Sequence, residues 1–212
     1  METGILILGK GDDIITMILD NLHSNGICGL ITIFNNLKLP PKKPMEHDGF
    51  KIDILEDIDL SKYQKYCLGV YKPAFKKKII ELLKPDLNKF INIIHNNIEL
   101  STTSTIGTGC LINSRVSVAA HTRIQNFVSI NRHVSIGHHS RIGEYASINP
   151  GCNLAGGASI GDLTTIGMGT NILNDIIIGR NSIIGAGSLV TKNIPDNVIA
   201  YGSPCRIVRE ND

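Results

Sequence analysis

Between Ile106 and Val190 every sixth residue is aliphatic, with no break in phase: Ile106, Ile112, Val118, Ile124, Ile130, Ile136, Ile142, Ile148, Leu154, Ile160, Ile166, Ile172, Ile178, Ile184 and Val190. A period of six matches neither the 3.6-residue helix nor a simple alternating strand, so it belongs to a stacked repeat. The arrangement that satisfies it is a triangular parallel β-helix. Each hexad then makes one side of a coil, three hexads close a turn, and the aliphatic side chain points inward.

A second column supports the same geometry. Four places after each aliphatic residue stand Cys110, Val116, Thr122, Val128, Val134, Ser140, Ala146, Cys152, Ala158, Thr164, Thr170, Ile176, Ser182, Ser188 and Ile194. These are small or slim side chains, as a narrow, close-packed interior requires. The residue directly after the aliphatic one is often Gly or Asn, as at Gly107, Asn113, Asn131, Gly137, Gly143, Asn149, Gly161, Gly167, Gly179 and Gly185. That preference predicts positive φ at these corner positions.

Lys and Arg total 21 against 19 acidic residues, a balance that gives no reason to expect nucleic acid or membrane partners. The run Lys76-Lys77-Lys78 is expected as a solvated helix face. Five scattered cysteines form no CxxC pair, and Cys110 and Cys152 fall in the inward column as small hydrophobes. Such usage suits a reducing compartment. The first apolar run, Ile5 to Leu8, is too short for a signal peptide or membrane span, so the cytoplasm is the expected location.

Residues 1 to 95 lack the period and are expected to form a small α/β unit with Rossmann-like βαβ connections; the coil is expected over 96–194 and a tail over 195–212. Gly4 to Leu8 predicts a buried strand ending at Gly9-Lys10-Gly11. A helix follows with Asp12 as N-cap and Ile14, Ile15, Ile18, Leu19 and Leu22 on its apolar face. Further strands are expected over Ile27 to Phe34, Lys51 to Leu55, Tyr66 to Val70 and Lys89 to Ile94. A proline-marked loop lies between Asn35 and Asp48, and a second helix spans Pro73 to Leu83. Open parallel sheets bind ligands at the carboxyl ends of their strands, here Gly9 to Asp13, Asn35-Asn36 and Tyr71-Lys72. The glycine loop reads equally well as a plain turn, because Asp12 and Asp13 would repel a phosphate.

A coil of 18 residues fixes what stacks on what. His138 lies above Ala120 and beneath Gly156, His139 above His121, and Asn131 between Asn113 and Asn149. His138 follows the Gly137 corner, points away from the interior and suits proton transfer near neutrality, which makes it the candidate general base. Ala120 and Gly156 leave room for a ligand, and the Gly156 N–H is a candidate oxyanion donor. A solvated surface histidine satisfies the register equally well. Asn113, Asn131 and Asn149 form a side-chain ladder that explains itself without a ligand. Glu144 and Ser147 are expected to face outward. His133 and His138 would need ligands from elsewhere to hold zinc, so no metal is expected.

The hexad columns resemble the left-handed β-helix acyltransferases. The layout is similar to the sugar acyltransferases of bacillosamine, perosamine and sialic-acid modification. The resemblance rests on Ser129-Ile-Asn131-Arg-His-Val-Ser-Ile-Gly-His138-His139, its continuation through Ser147 to Gly156, the segment Ile183 to Val190, and the ending Ile194-Pro195 through Arg206. It is strong over 98–208 and weaker before that. It implies a left-handed coil, a homotrimer with sites between prisms, and acetyl-CoA-dependent N-acetylation of a nucleotide-linked amino sugar for surface glycans. By position it implies His138 as catalytic base, Asn131 beside the acceptor sugar, and Ser147, Gly156, Met168 and Ala186 along acetyl-CoA. Lys192 or Arg206 would meet a coenzyme phosphate.

Departures accompany the match. The residue after the catalytic histidine is usually acidic in the family and here is His139, which leaves the tuning of the base to this neighbour. A second family histidine is replaced by Ser147. The three nucleotide loops read Gly9-Lys10-Gly11, Asn35-Asn36 and Tyr71-Lys72, each altered. Sugar O-acetylation and a zinc hydratase of the carbonic anhydrase type remain the alternatives; the lack of a carboxylate beside the base argues for the amine as the more nucleophilic acceptor.

Overall fold

The computed structural model describes residues 4–35 and 49–211. A four-stranded parallel sheet opens the chain, built from β1 (Ile5–Leu8), β2 (Gly29–Phe34), β3 (Phe50–Leu55) and β4 (Lys65–Leu68) in the order β3-β2-β1-β4. Alternation along β1 splits its apolar residues between two layers. Ile5 and Ile7 pack with Ile14, Ile15, Ile18, Leu19 and Leu22 of α1 (Asp12–Ser24). Leu6 and Leu8 pack with Tyr66, Leu68 and Ile79, the last from α2 (Pro73–Leu83). The helix start differs from expectation. Gly11 in extended backbone is the N-cap, with no side-chain cap, and Asp12 is the first helical residue. There its carboxylate, with that of Asp13, still meets the positive end of the helix dipole.

The coil is a left-handed parallel β-helix with three flat faces. The first face stacks Ile93–Ile94, Leu111–Ile112, Ser129–Ile130, Ser147–Ile148, Thr165–Ile166 and Ile183–Ile184. The second runs from Glu99–Leu100 through Ser117–Val118, Ser135–Ile136, Asn153–Leu154 and Asn171–Ile172 to Leu189–Val190. The third holds Thr105–Ile106, Arg123–Ile124, Arg141–Ile142, Ser159–Ile160 and Ile177–Ile178. Partners stand 18 residues apart, as with Ile112, Ile130 and Ile148 in one row. From Ile112 to Val190 the aliphatic column is buried throughout, and each such side chain contributes about 1.5–3 kcal/mol from burial. Inward hydroxyls donate to corner carbonyls, several of them 15 residues on: Thr122 donates to Gly137 O (3.0 Å) and Thr164 to Gly179 O (2.6 Å), while Ser188 turns back to Gly185 O (2.7 Å). The hydrogen bond offsets the cost of taking each hydroxyl out of water.

The coil starts earlier than the expected boundary at 95/96. Ile93–Ile94 already pairs with Leu111–Ile112, and Ile94 and Leu100 continue the six-residue phase backward. After Ile194 the chain does not trail away. Val198–Gly202 extends the first face in parallel, and Cys205–Glu210 returns antiparallel to it.

The corners also differ from expectation. Positive φ falls three places after the aliphatic residue, at Arg115 (57°), His121 (59°), His133 (58°), His139 (60°), Gly151 (70°) and Gly157 (74°) among others. The glycines one place after it answer a different constraint. A Cβ built on Gly137 would lie 2.5 Å from Gly156 N, because each corner presses on the backbone of the coil above.

The α/β unit sits on the first face. Its joint is polar: Lys76 Nζ lies within hydrogen-bond distance of four oxygens, Phe127 O (2.9 Å), Ala146 O (3.1 Å), Ser129 Oγ (3.2 Å) and Ser147 Oγ (3.1 Å). Lys76 is 1% exposed, which corrects the expectation of a solvated lysine run. Lys77 and Lys78 do remain exposed. Burial pushes the Lys76 ammonium down to about 7.

Candidate active site

The edge between the second and third faces is made of the corners Ala119–Thr122, Gly137–Ser140, Ala155–Ala158, Leu173–Ile176 and Thr191–Ile194. His138 is exposed on this edge, as its register requires. Its ring abuts the corner above: a Cβ built on Gly156 would stand 2.6 Å from His138 Cε1 and 2.7 Å from Nε2. Glycine is thus the only residue at 156 that leaves the imidazole where it is. The neighbouring Gly157 takes φ +74° and donates its N–H to His138 O (2.8 Å), tying the two corners together. The Gly156 N–H has no protein acceptor among the described residues. An exposed imidazole therefore adjoins a buried glycine whose N–H has no protein acceptor, the pair of groups that acyl transfer needs.

His139 turns its Nδ1 to within 3.0 Å of His138 Nδ1, and its ring packs against His121 at 4.9 Å between centroids. Asn174 and Lys192 occupy the same corner place as His138 and Gly156 one and two coils further up. Lys192 is exposed, about 14 Å along the stack from His138 at the usual strand spacing. On the far side of the third face from this edge lies an open groove of about 580 Å³ lined by Arg141, Ser159, Ile177, Arg180 and the carboxylates of Glu144 and Asp162.

The other expected cofactor and acceptor residues divide differently. Asn131, Met168 and Ala186 lie on the edge between the first and second faces, across the second face from His138. Met168 is 59% exposed, and Ala186 is also exposed. Asn131 is 8% exposed; its Oδ1 accepts from Arg132 N (2.8 Å) and, at a long 3.5 Å, from Asn113 Nδ2. The expected ladder stops there, since Asn149 Nδ2 donates to Ile166 O (2.7 Å). Ser147 is a correction. It points out of the prism as its register requires, but the α/β unit covers it completely. Its Oγ donates to Tyr71 O (2.7 Å) and accepts from Lys76, leaving nothing for a cofactor. Arg206 is exposed on the returning terminal strand, its guanidinium on Cys205 O (2.8 Å).

In the α/β unit, Gly9, Lys10, Gly11, Asn35, Tyr71 and Lys72 do gather at the carboxyl edge of the sheet; Asn36 lies outside the described residues. Gly9 takes φ 94°, and Gly11 N donates to Gly69 O (2.8 Å). Gly69 is a residue the sequence reading passed over: a Cβ there would meet Gly9 O at 2.3 Å. Lys10 is nearly buried with Nζ 3.6 Å from Asp12, so its charge is largely neutralised in place. Tyr71 donates its hydroxyl to Ile148 O (2.7 Å), and burial, eased by Asn131, raises its phenol. Tyr71 thereby links the carboxyl edge of the sheet to the Asn131 edge of the coil. Lys72 is exposed and sits over the Phe75 ring at 5.8 Å.

Among the described residues no three His, Cys, Asp or Glu side chains converge as metal ligands, and no helix is long and apolar enough to cross a membrane. All five cysteines are free, four of them buried.

The profile of the bacterial transferase hexapeptide family (six repeats) matches residues 157–192. No curated protein sequence matches the chain. Solved structures do. A histidine-to-asparagine mutant of perosamine N-acetyltransferase from Caulobacter crescentus, in complex with CoA and GDP-perosamine, is 21% identical over 99% of both chains with a TM-score of 0.85. The acetyltransferase domain of PglB from Neisseria gonorrhoeae, in complex with acetyl coenzyme A, is 20% identical over 98% of this chain and 100% of its own, with a TM-score of 0.82. WeeI from Acinetobacter baumannii is 20% identical over 97% and 99%, with a TM-score of 0.77. Likeness at a fifth of residues identical establishes the fold: an α/β unit followed by a left-handed β-helix, shared along nearly the whole chain.

Proposed function

We propose that this chain is an acetyl-CoA-dependent N-acetyltransferase acting on an amino sugar carried by a nucleotide. The observation that carries the reading is the exposed His138 imidazole packed against Gly156, beside a backbone N–H without a protein acceptor. The solved structures of the same fold that hold CoA with GDP-perosamine, or acetyl coenzyme A, support it. The edge fits the co-substrate. Glycine at 156 lets the His138 ring seat against the corner, and exposed Lys192 stands further along the same column, where a phosphate could be met.

His138 Nε2 takes a proton from the acceptor nitrogen as that nitrogen bonds to the thioester carbonyl carbon. The Gly156 N–H donates to the carbonyl oxygen as charge collects there, an effect worth about 3–4 kcal/mol in enzymes that use such a donor. As the carbon–sulfur bond breaks, His138 returns the proton to the departing sulfur, giving an amide and a free thiol. The thioester is already activated, so no covalent enzyme species is required.

Asn131, Met168 and Ala186 lie on a different edge of the prism from His138, Gly156 and Lys192. One ligand reaches both sets when a second copy turns its edge between the first and second faces toward the His138 edge of its neighbour. This division supports a homotrimer with each site between two prisms. The carboxyl edge of the α/β sheet, joined to Asn131 through Tyr71, would then receive the nucleotide of the acceptor. Free, buried cysteines support action in the reducing cytoplasm. Thiol release from acetyl-CoA, measured against a panel of nucleotide-linked amino sugars, tests the reading. His138→Ala is expected to abolish turnover with thermal stability nearly unchanged, because the ring is exposed. Wild-type rates in that variant would end the claim, and a monomer by sedimentation would end the shared site.

A further inference from the structure

We infer that His139 is the residue that orients the catalytic base, taking the place of a carboxylate by accepting the Nδ1 proton of His138. The inference rests on the acyltransferase reading above and extends it to how the base is held. Two ring nitrogens at 3.0 Å can form a hydrogen bond only if one carries the proton and the other does not. Two arrangements satisfy this. With the proton on His138 Nδ1, its Nε2 is bare and faces the Gly156 corner, ready to accept a proton. With the proton on His139 Nδ1, His138 must carry hydrogen on Nε2 and has no lone pair where chemistry requires one. Only the first arrangement makes His138 a base. In it, His139 holds its own hydrogen on Nε2, and the Nδ1–H···Nδ1 bond persists after His138 has taken up the substrate proton.

The fold prepares His139 for this role. Its backbone sits at φ 60°, a conformation that L-residues other than Asn, Asp and His seldom adopt. Its N–H is fixed to Ala120 O (2.9 Å), and its ring packs on His121. The imidazole therefore stands across the His138 ring, at 85° between planes, instead of swinging into solvent. Other titratable or charged groups on this edge are His121, Asp175, which overlies Gly157, and Lys192; Arg123 and Arg141 project from the flanking third face. His139 acts through His138 and does not touch the reacting atoms, so it is a positioning residue.

Three substitutions separate the role from a structural one. Glycine at 139 removes the acceptor and suits positive φ, so folding is not lost. Asparagine and aspartate also tolerate this backbone and place an oxygen near the former Nδ1, one neutral and one charged. In the intact protein, long-range proton–nitrogen NMR of the His138 ring is expected to show hydrogen on Nδ1 in the wild type and its loss from that nitrogen in His139→Gly. His139→Gly is expected to lower kcat about 10- to 100-fold with KM little changed, and His139→Asn to recover most of the rate. His139→Asp is expected to raise the acid limb of the pH–rate profile by about one unit, through an adjacent opposite charge. A wild-type His138 with hydrogen on Nε2, or a His139→Gly variant with wild-type tautomer and pH profile, would overturn the inference. The tautomer is read without turnover, so failure of the acetyltransferase reading would show separately, as absence of thiol release beside an intact Nδ1–H.

Discussion

Replacing Gly156 by alanine asks the sharpest question of the site, because the structure gives the displacement it must cause. The added Cβ would stand 2.6 Å from Cε1, 2.7 Å from Nε2 and 3.1 Å from Nδ1 of His138. Ordinary contact for such atoms begins at about 3.5 Å, so the imidazole has to withdraw by about 1 Å. Stability should barely register this. His138 is exposed, and Gly156 is not among the positive-φ glycines, so alanine is free of backbone strain. Restricting the unfolded chain offsets part of the crowding by about 0.4–1 kcal/mol. Chemistry should register it strongly. A misplacement of about 1 Å in a catalytic group lowers rate roughly 10²-fold, equivalent to about 2.7 kcal/mol in the barrier. Steady-state thiol release should therefore show kcat down about two orders of magnitude in Gly156→Ala, with the melting temperature within a few degrees of wild type. Combining it with His138→Ala should add nothing, since both remove the same base. A Gly156→Ala enzyme with kcat within twofold of wild type would refute the placement of the reacting centre against this corner.

Two further expectations concern the joint beneath the α/β unit. Ser147→Ala leaves the Tyr71 carbonyl without its donor and removes one of four acceptors around Lys76, and should lower stability by about 1–3 kcal/mol by denaturant titration, with KM for acetyl-CoA unchanged; a raised KM with unaltered stability would return Ser147 to the cofactor. Lys76 titrates near 7 when folded against an ordinary value of 10.5, so the unfolded chain holds the extra proton between those values and stability rises with pH across that window. Buried Cys67, pushed up to about 12, and Cys110, to about 11, act in the opposite sense above their ordinary value of 9.0, which leaves pH 7 to 9 as the clean interval. Over it the wild type should gain on the order of 2 kcal/mol, and Lys76→Met should flatten the slope; a wild-type curve that falls between pH 7 and 9 would contradict the buried-lysine account.

The coil was legible because a stacked fold writes one constraint into every hexad. Inward positions are read by their own size and apolarity, and Ile106 to Val190 declare them without reference to anything distant. Even so, Ile94 and Leu100 were in phase and marked an earlier start. The stacking of His138 on Gly156 followed from the 18-residue coil alone. What stayed hidden depended on neighbours distant in sequence. Ser147 is outward by register, and only the docked α/β unit turns outward into buried. Lys76 had a local signal: with Ile79, Ile80 and Leu83 it forms the i, i+3, i+4, i+7 stripe of α2, which places it on the apolar face. The corner glycines predict positive φ but serve close approach, because composition records that glycine is needed and not why. Nor does an even spacing of six distinguish one edge from another until residues are counted modulo 18, which separates Asn131, Met168 and Ala186 from His138.

The central claim is that acyl transfer occurs on the edge where His138 meets Gly156. An experimental structure with bound acetyl-CoA tests it most directly. The account predicts the thioester carbonyl oxygen within hydrogen-bond reach of the Gly156 N–H, about 3 Å, and His138 Nε2 turned toward the carbonyl carbon. Acetyl-CoA seated on another edge, with the His138 ring facing empty solvent, would contradict it.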